Sequence, residues 1–294
     1  MRWWRREGLS DGQGLDEPIR TLFTRICDPA QTPLRHGRVV MAANAITLFR
    51  VDAAWTTAHL LPLFGWERDA AEAAGAWEAF LWVPRRYQPL MVAMKAEFLA
   101  TANHQAELGR HGRNYAGLLA FHALDPGEHF SNNELALAMA ALPPEALGRA
   151  AEALVQAQDA AGEQREAHWD NRIAPFIQRI WPSGAASATH AVCESFARLA
   201  TAAGAAFPRA LQAVLRWLHP IDDTDGIVHR LSLTSHCHQF PQDSLKLLDS
   251  VISRSCRWPP GDLWACARRP NFDHPCRLNI DQGWKPVSIE ASCG

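Results

Sequence analysis

Trp169-Asp170-Asn171-Arg172-Ile173-Ala174-Pro175-Phe176-Ile177-Gln178-Arg179-Ile180 is the most strongly patterned stretch of the chain. Its large apolar residues Trp169, Ile173, Phe176 and Ile180 recur at spacings of four, three and four. That period lays side chains along one face of an α-helix. Pro175 has no N–H to donate and is predicted to bend the helix, which Pro182-Ser183-Gly184 then ends.

Helix signals continue upstream. Between Arg38 and Phe49 nearly every position is apolar, which predicts a helix buried on most sides. Asp52 is placed to cap a helix carrying Trp55, His59 and Leu63, and another is expected from about Asp69 to Trp82, ended by Pro84. Pro89 suits a first turn, with Leu90, Met94 and Phe98 on one face and Gly109 as the stop. Tyr115, Leu118, Leu119 and His122 form a further stripe. Ser131-Asn132-Asn133-Glu134 has the form of a capping box. Pro143-Pro144 opens a helix with Leu147, Ala151, Leu154 and Gln158 along one side, closed by Gly162. Trp55, Trp82, Tyr87, Trp169, Phe176, Trp181, Phe207 and Phe240 are the expected structural aromatics.

Downstream the chain repeats itself. Phe207-Pro208 returns as Phe240-Pro241, 33 residues later, and Val214, Leu215 and Leu218 correspond to Leu247, Leu248 and Val251. Ahead of each lies another stripe, Val192, Phe196 and Leu199 in one copy and Ile227, Leu231 and Thr234 in the other. Two helices per unit at this period are what stacked helix pairs show. The expected fold is all-α: stacked helix pairs in an α-solenoid-like or irregular array, with a globular bundle as the second possibility. Residues 1–33 are expected to form an N-terminal segment, partly disordered with one helix, residues 34–254 the helical domain, and residues 255–294 an irregular tail rich in Cys, Pro and Trp.

The formal charge of −2 gives no general attraction to nucleic acid or anionic membrane, so neither is an expected partner. No apolar run reaches the roughly 18 residues that cross a bilayer. Met1 to Glu7 is basic but has no apolar segment behind it, and scattered Cys27, Cys193 and Cys237 show no disulfide framework. A cytoplasmic protein is expected.

Groups able to do chemistry do not converge along the sequence. His229, His236 and His238, beside Cys237, are the best metal candidates. His229 and His236 sit seven apart and could share a helical face, whereas His236 and His238 would diverge, and no second ligand pair supports them. Cys256, Cys266 and Cys276 with His274 have spacings of ten, unlike a zinc ribbon. Asp222-Asp223-Thr224-Asp225-Gly226 resembles part of a calcium loop without its closing glutamate and reads better as a capped turn. Glu163 and Glu166 suit a first helical turn, Cys193 and His122 the core, and Arg85-Arg86 and Arg110-His111-Gly112-Arg113 helix ends. No catalytic residue, cofactor-binding residue or cofactor is expected. Gly12-Gln13-Gly14 lacks the third glycine and the preceding strand of a dinucleotide loop.

A set of phrases carries a family resemblance: His59-Leu60-Leu61-Pro62-Leu63-Phe64 with Trp66, Phe80-Leu81-Trp82-Val83-Pro84-Arg85-Arg86-Tyr87, and Ala123-Leu124-Asp125-Pro126. Gln164-Arg165-Glu166 follows, leading through Trp169 and Arg172 to Ile180-Trp181-Pro182, then Ala206-Phe207-Pro208. From about Leu34 to Asp262 the chain resembles the all-helical C-terminal region of large bacterial sirtuin-like proteins, a family associated with antiphage defence. The resemblance implies an N-terminal Rossmann-like module that consumes NAD, with the helical part sensing or scaffolding. No such module is expected in this chain, so the resemblance assigns NAD chemistry to none of its residues. It fades in the tail, whose composition suggests translation out of frame, and a truncated copy is the expectation.

The functional expectation is a non-catalytic scaffold that binds a protein partner, for which the resemblance suggests the NAD-hydrolysing module. A metal-assisted enzyme built around His229 and His236 is the second reading, and a decayed gene remnant without independent function the third.

Overall fold

Alanine and glycine line the facing surfaces of the longest helices, and this sets how closely those helices approach. In the computed structural model, residues 10–184, 187–221 and 224–252 are described. The principal α-helices among them are α1 (Glu17–Cys27), α2 (Arg35–Ala42), α3 (Ala45–Val51), α4 (Ala70–Leu81), α5 (Gln88–Ala93), α6 (Lys95–Ala100), α7 (Gly112–Ala123), α8 (Asn132–Ala140), α9 (Pro144–Ala160), α10 (Ala174–Arg179), α11 (His190–Ala202), α12 (Phe207–Val214), α13 (Asp225–Leu233) and α14 (Pro241–Val251). Strands are absent among the described residues. One isolated parallel bridge joins Ile221 to Ile252.

From α6 onward the chain alternates between two rows. One row runs α7, α9, α11, α13, each packed on the next, and the other runs α6, α8, α10, α12, α14. This is the all-α array of stacked helix pairs that the sequence predicts. The 33-residue repeat has a direct structural meaning, because α11 packs on α13 and α12 on α14. Phe207-Pro208 and Phe240-Pro241 each open the second helix of a pair with proline in its first turn.

The α7–α9–α11 contacts bury Ala116, Ala120, Ala150, Ala151, Ala153, Ala197 and Ala200. At Gly148 a Cβ would lie 2.8 Å from the Ala191 Cβ, closer than carbon atoms pack. Gly204, at φ +61°, serves a second close approach, where the Glu166 carboxylate accepts the Ala205 N–H at 2.9 Å. The large aromatic side chains fill the seam between rows. Trp77 meets Phe64, Phe98 and Tyr115, and further along Phe176, Trp181, Phe196 and Trp217 form a chain of ring contacts.

Before α6, α1 and α4 pack on α2. The buried Arg38 guanidinium grips Glu72 of α4 with two bonds of 2.8 and 2.9 Å and donates to the Asp28 and Gln31 carbonyls. Asp69 caps α4 and Asp52 caps the turn at Ala53–Trp55, as expected, and the Ser131–Glu134 box is complete.

Three local expectations are corrected. The apolar run from Arg38 to Phe49 breaks at Asn44 into α2 and α3, and Val39 and Val40 face outward. The stripe Leu90–Met94–Phe98 spans a break at Met94, between α5 and α6. Pro175 does not simply bend its helix. The preceding segment Trp169–Ile173 widens into a π-turn in which the Ala174 N–H reaches the Trp169 carbonyl. Pro62 follows a matching π-turn, Thr56–Leu60, where the Leu61 N–H bonds the Thr56 carbonyl. In both places the added residue relieves the clash between the proline ring and the preceding turn.

Gly148→Ala separates propensity from packing. Alanine gains about 1 kcal/mol of helix propensity over glycine, but overpacking costs about 1–3 kcal/mol. Urea unfolding is expected to show a net loss of about 1 kcal/mol. Combined with Ala191→Gly, the loss should fall short of the sum of the single changes by about 1 kcal/mol. A stabilised G148A protein would refute the tight α9–α11 contact.

Candidate functional site

The three histidines that the sequence groups together are separated in the structure. His236 is 2% exposed, donates from Nε2 to the Thr201 carbonyl at 2.9 Å and stacks flat on Phe207 with ring centroids 4.6 Å apart. His229 and His238 are exposed. They also do not share a helix, because α13 ends at Leu233 and His236 opens Pro241's preceding turn after Ser235 in the left-handed region at φ 57°. Burial holds the His236 imidazole below its ordinary range. Among the described residues no group of three His, Cys, Asp or Glu side chains is placed to hold a metal ion. Cys256, Cys266, Cys276, His274, Asp222 and Asp223 lie outside the described residues.

Glu166, Cys193 and His122 sit against structural neighbours. Glu166 bonds the backbone at Ala205, which lowers its carboxyl below the usual range. Cys193 is buried against the His219 backbone, and burial pushes its thiol up. His122 lies between Phe98 and Phe130, with centroids 5.5 and 4.3 Å away, and neither ring nitrogen has a hydrogen-bond partner. Burial, with the charge of Arg86 adding to it and Asp125 opposing, pushes His122 down to about 4.

Three of the resemblance-carrying phrases meet at Asp125. Its carboxylate takes Arg172 at 3.0 Å and Arg86 at 3.2 Å, while Gln88 donates to the Pro126 carbonyl at 2.8 Å. The connection after α7 is thereby fixed to segments on both sides of it.

The most distinctive surface feature is a groove of about 440 Å³ lined by Val39, Val40, Gly75, Trp82, Val83, Arg110 and others. Trp82 was an expected structural aromatic, yet it is 64% exposed, and Val83 and Val40 are 59% and 50% exposed. With Val39 these make four of the eight large apolar side chains exposed among the described residues. Their grouping follows from three local causes. The break at Asn44 leaves Val39 and Val40 on the outer side of α2. Gly75 of α4 has no side chain to cover them, since a Cβ there would sit 3.8 Å from Val39. Trp82 comes one residue past α4.

Asn114 then fixes the opposite wall by donating to the Leu81 carbonyl at 3.0 Å. The Arg110 guanidinium lies 5.1 Å from the Trp82 ring, with His111 at 5.7 Å. Arg110 also donates to His111 Nε2 at 3.3 Å, and His111 Nδ1 is a buried atom without a hydrogen-bond partner. The groove therefore offers an apolar floor with a cationic rim, opposed by one carboxylate, Glu78. In sequence its mark is faint: a Trp-Val pair between a helix end and Pro84.

No protein-family model matches the chain, and no solved structure matches it. A 105-residue stretch, 35% of this chain, is 29% identical to an uncharacterized protein, y4cA, of Sinorhizobium fredii, and covers 9% of that protein. The chain thus matches a small part of this relative's length. Among the described residues no helix is long and apolar enough to cross a membrane.

His122 makes stability depend on pH with a definite sign. Its folded value of about 4 lies below the ordinary 6.5. As pH falls from 6.5 toward 4, the unfolded chain takes up a proton that the folded chain excludes, so the stability present above pH 6.5 declines by about 3 kcal/mol. Glu134, held near 2 by Lys95 and Ser131, adds to the decline from its ordinary 4.5 downward, at the low end of this window. Denaturant unfolding at pH 7, 5.5 and 4 is expected to show the decline in the natural protein and a shallower one in His122→Leu. An unchanged slope would mean that His122 protonates in the fold without penalty.

Proposed function

We propose that the chain is a non-catalytic helical scaffold that holds a segment of a protein partner in the Trp82 groove. The observation that carries this reading is the collection of four exposed apolar side chains in one groove beside an arginine stacked on the tryptophan. Concentrated exposed apolar surface marks interaction sites, and tryptophan and arginine dominate binding hot spots. Stacked helix pairs present such surfaces on a rigid frame.

The rim selects the partner's chemistry. Arg110, stacked on Trp82, holds no carboxylate among the described residues. The proposed occupant is therefore a segment with an apolar anchor flanked by Asp or Glu, the anchor lying on Trp82 and Val40 and the carboxylates near Arg110.

The wider setting we propose is the helical region of a sirtuin-like antiphage-defence protein, with the NAD-hydrolysing module as the partner. Convergence of the resemblance-carrying phrases on Asp125 supports this, because it gives separated motifs one shared structural reason. Similarity to a short stretch of a much longer bacterial protein fits a segment that works within a larger assembly.

Panning a displayed random-peptide library against the purified chain tests the groove. Enriched peptides should carry an apolar anchor beside acidic residues, and Trp82→Ala should weaken them by roughly 30-fold, a loss of about 2 kcal/mol. Peptides that bind Trp82→Ala equally well would sink the reading. The setting is tested by reading the DNA flanking the gene in all frames. A Rossmann-like NAD-consuming module upstream is expected, and its absence in every frame would count against the assignment.

A further inference from the structure

The arginines around the first helices divide into two kinds. Arg20 holds Asp52, Arg35 and Arg38 hold Glu72, and Arg50 holds Asp11. Arg25 and Arg68 hold no carboxylate among the described residues, yet from two separate segments they line the same depression. It has a volume of about 500 Å³, and His59, Thr21, Thr24 and Asp28 share its wall.

The walls are organised locally. His59 belongs to the π-turn Thr56–Leu60, and its ring lies 5.6 Å from that of Trp55. The Trp55 Nε1–H donates to Thr24 Oγ1 at 2.8 Å, which ties the two sides together. Asp28 opposes an anion here, but its carboxylate is committed to its own turn, accepting the Ala30 N–H at 3.0 Å and the Gln31 amide at 3.4 Å. Two guanidinium groups that hold no carboxylate among the described residues, with an imidazole, therefore outnumber the one carboxylate, Asp28, in the lining.

We propose that this depression binds a small phosphomonoester, with the phosphate held by Arg25 and Arg68 and assisted by His59. Guanidinium groups present paired donors that match phosphate oxygens. The volume falls in the range of small-molecule sites and leaves room beyond a lone phosphate, which the organic group of a phosphomonoester would occupy. This site is separate from the Trp82 groove and shares no lining residue with it.

Calorimetry on the full chain at constant ionic strength, with inorganic phosphate, adenosine monophosphate and a short single-stranded oligonucleotide, tests the proposal. The monophosphate should bind with a Kd of about 1 mM or tighter, and more tightly than inorganic phosphate. Arg25→Gln and Arg68→Gln should each weaken it at least tenfold, while Arg179→Gln, an exposed arginine elsewhere, should leave it unchanged. Both site arginines are exposed, and thermal melts verify that the variants fold. Absence of binding, equal weakening by R179Q, or inorganic phosphate binding as tightly as the monophosphate would overturn the proposal. So would an oligonucleotide that binds more tightly than the monophosphate and is indifferent to R25Q and R68Q. Trp82→Ala should not affect the titration, so failure here leaves the groove reading standing.

Discussion

The close approach of α7, α9 and α11 through alanine and glycine is the constraint on which the rest of the fold depends. Each small side chain buries little area, but short separations let whole helix surfaces touch, and dispersion sums over many contacts. Because the helices of one row stand so close, bulky residues are displaced to the seam between rows. There Phe98 meets Tyr115, and Trp181 meets Phe196. The alanine-rich composition and the clustering of aromatic side chains are thus two sides of one packing solution.

Polar contacts set the register of successive helix pairs more than they stabilise them. Asp170 with Arg209, Asp125 with Arg86 and Glu166 with the Ala205 N–H all link residues 39 apart, about one helix pair along the chain. The two exposed ion pairs among them contribute about 0–1 kcal/mol each. Arg38 with Glu72 differs, because its guanidinium is buried, and losing one partner would strand the other charge.

The sequence made the helices legible wherever apolar spacing, capping residues and prolines agreed. The Trp169–Ile180 stripe, the Ser131 box and the paired Phe-Pro openings are of this kind. It misled where hydrophobicity stood for burial. Val39, Val40 and Trp82 have core-like side chains, and only the break at Asn44 and the bare Gly75 turn them outward. It also misled at His236, where seven-residue spacing suggested a shared face with His229 and a left-handed Ser235 put the two on different helices. The pairing states of Arg25 and Arg68 are invisible in sequence because they depend on which carboxylates their neighbours already hold.

The two π-turns have a further consequence. Each places one surplus residue just ahead of a proline, Pro62 or Pro175, and confines it to a single wide coil. Removing or adding a residue there alters that coil while the flanking helices keep their phase. These sites act as expansion joints at which related chains can differ in length by one residue and still seat the same side chains against the same neighbours.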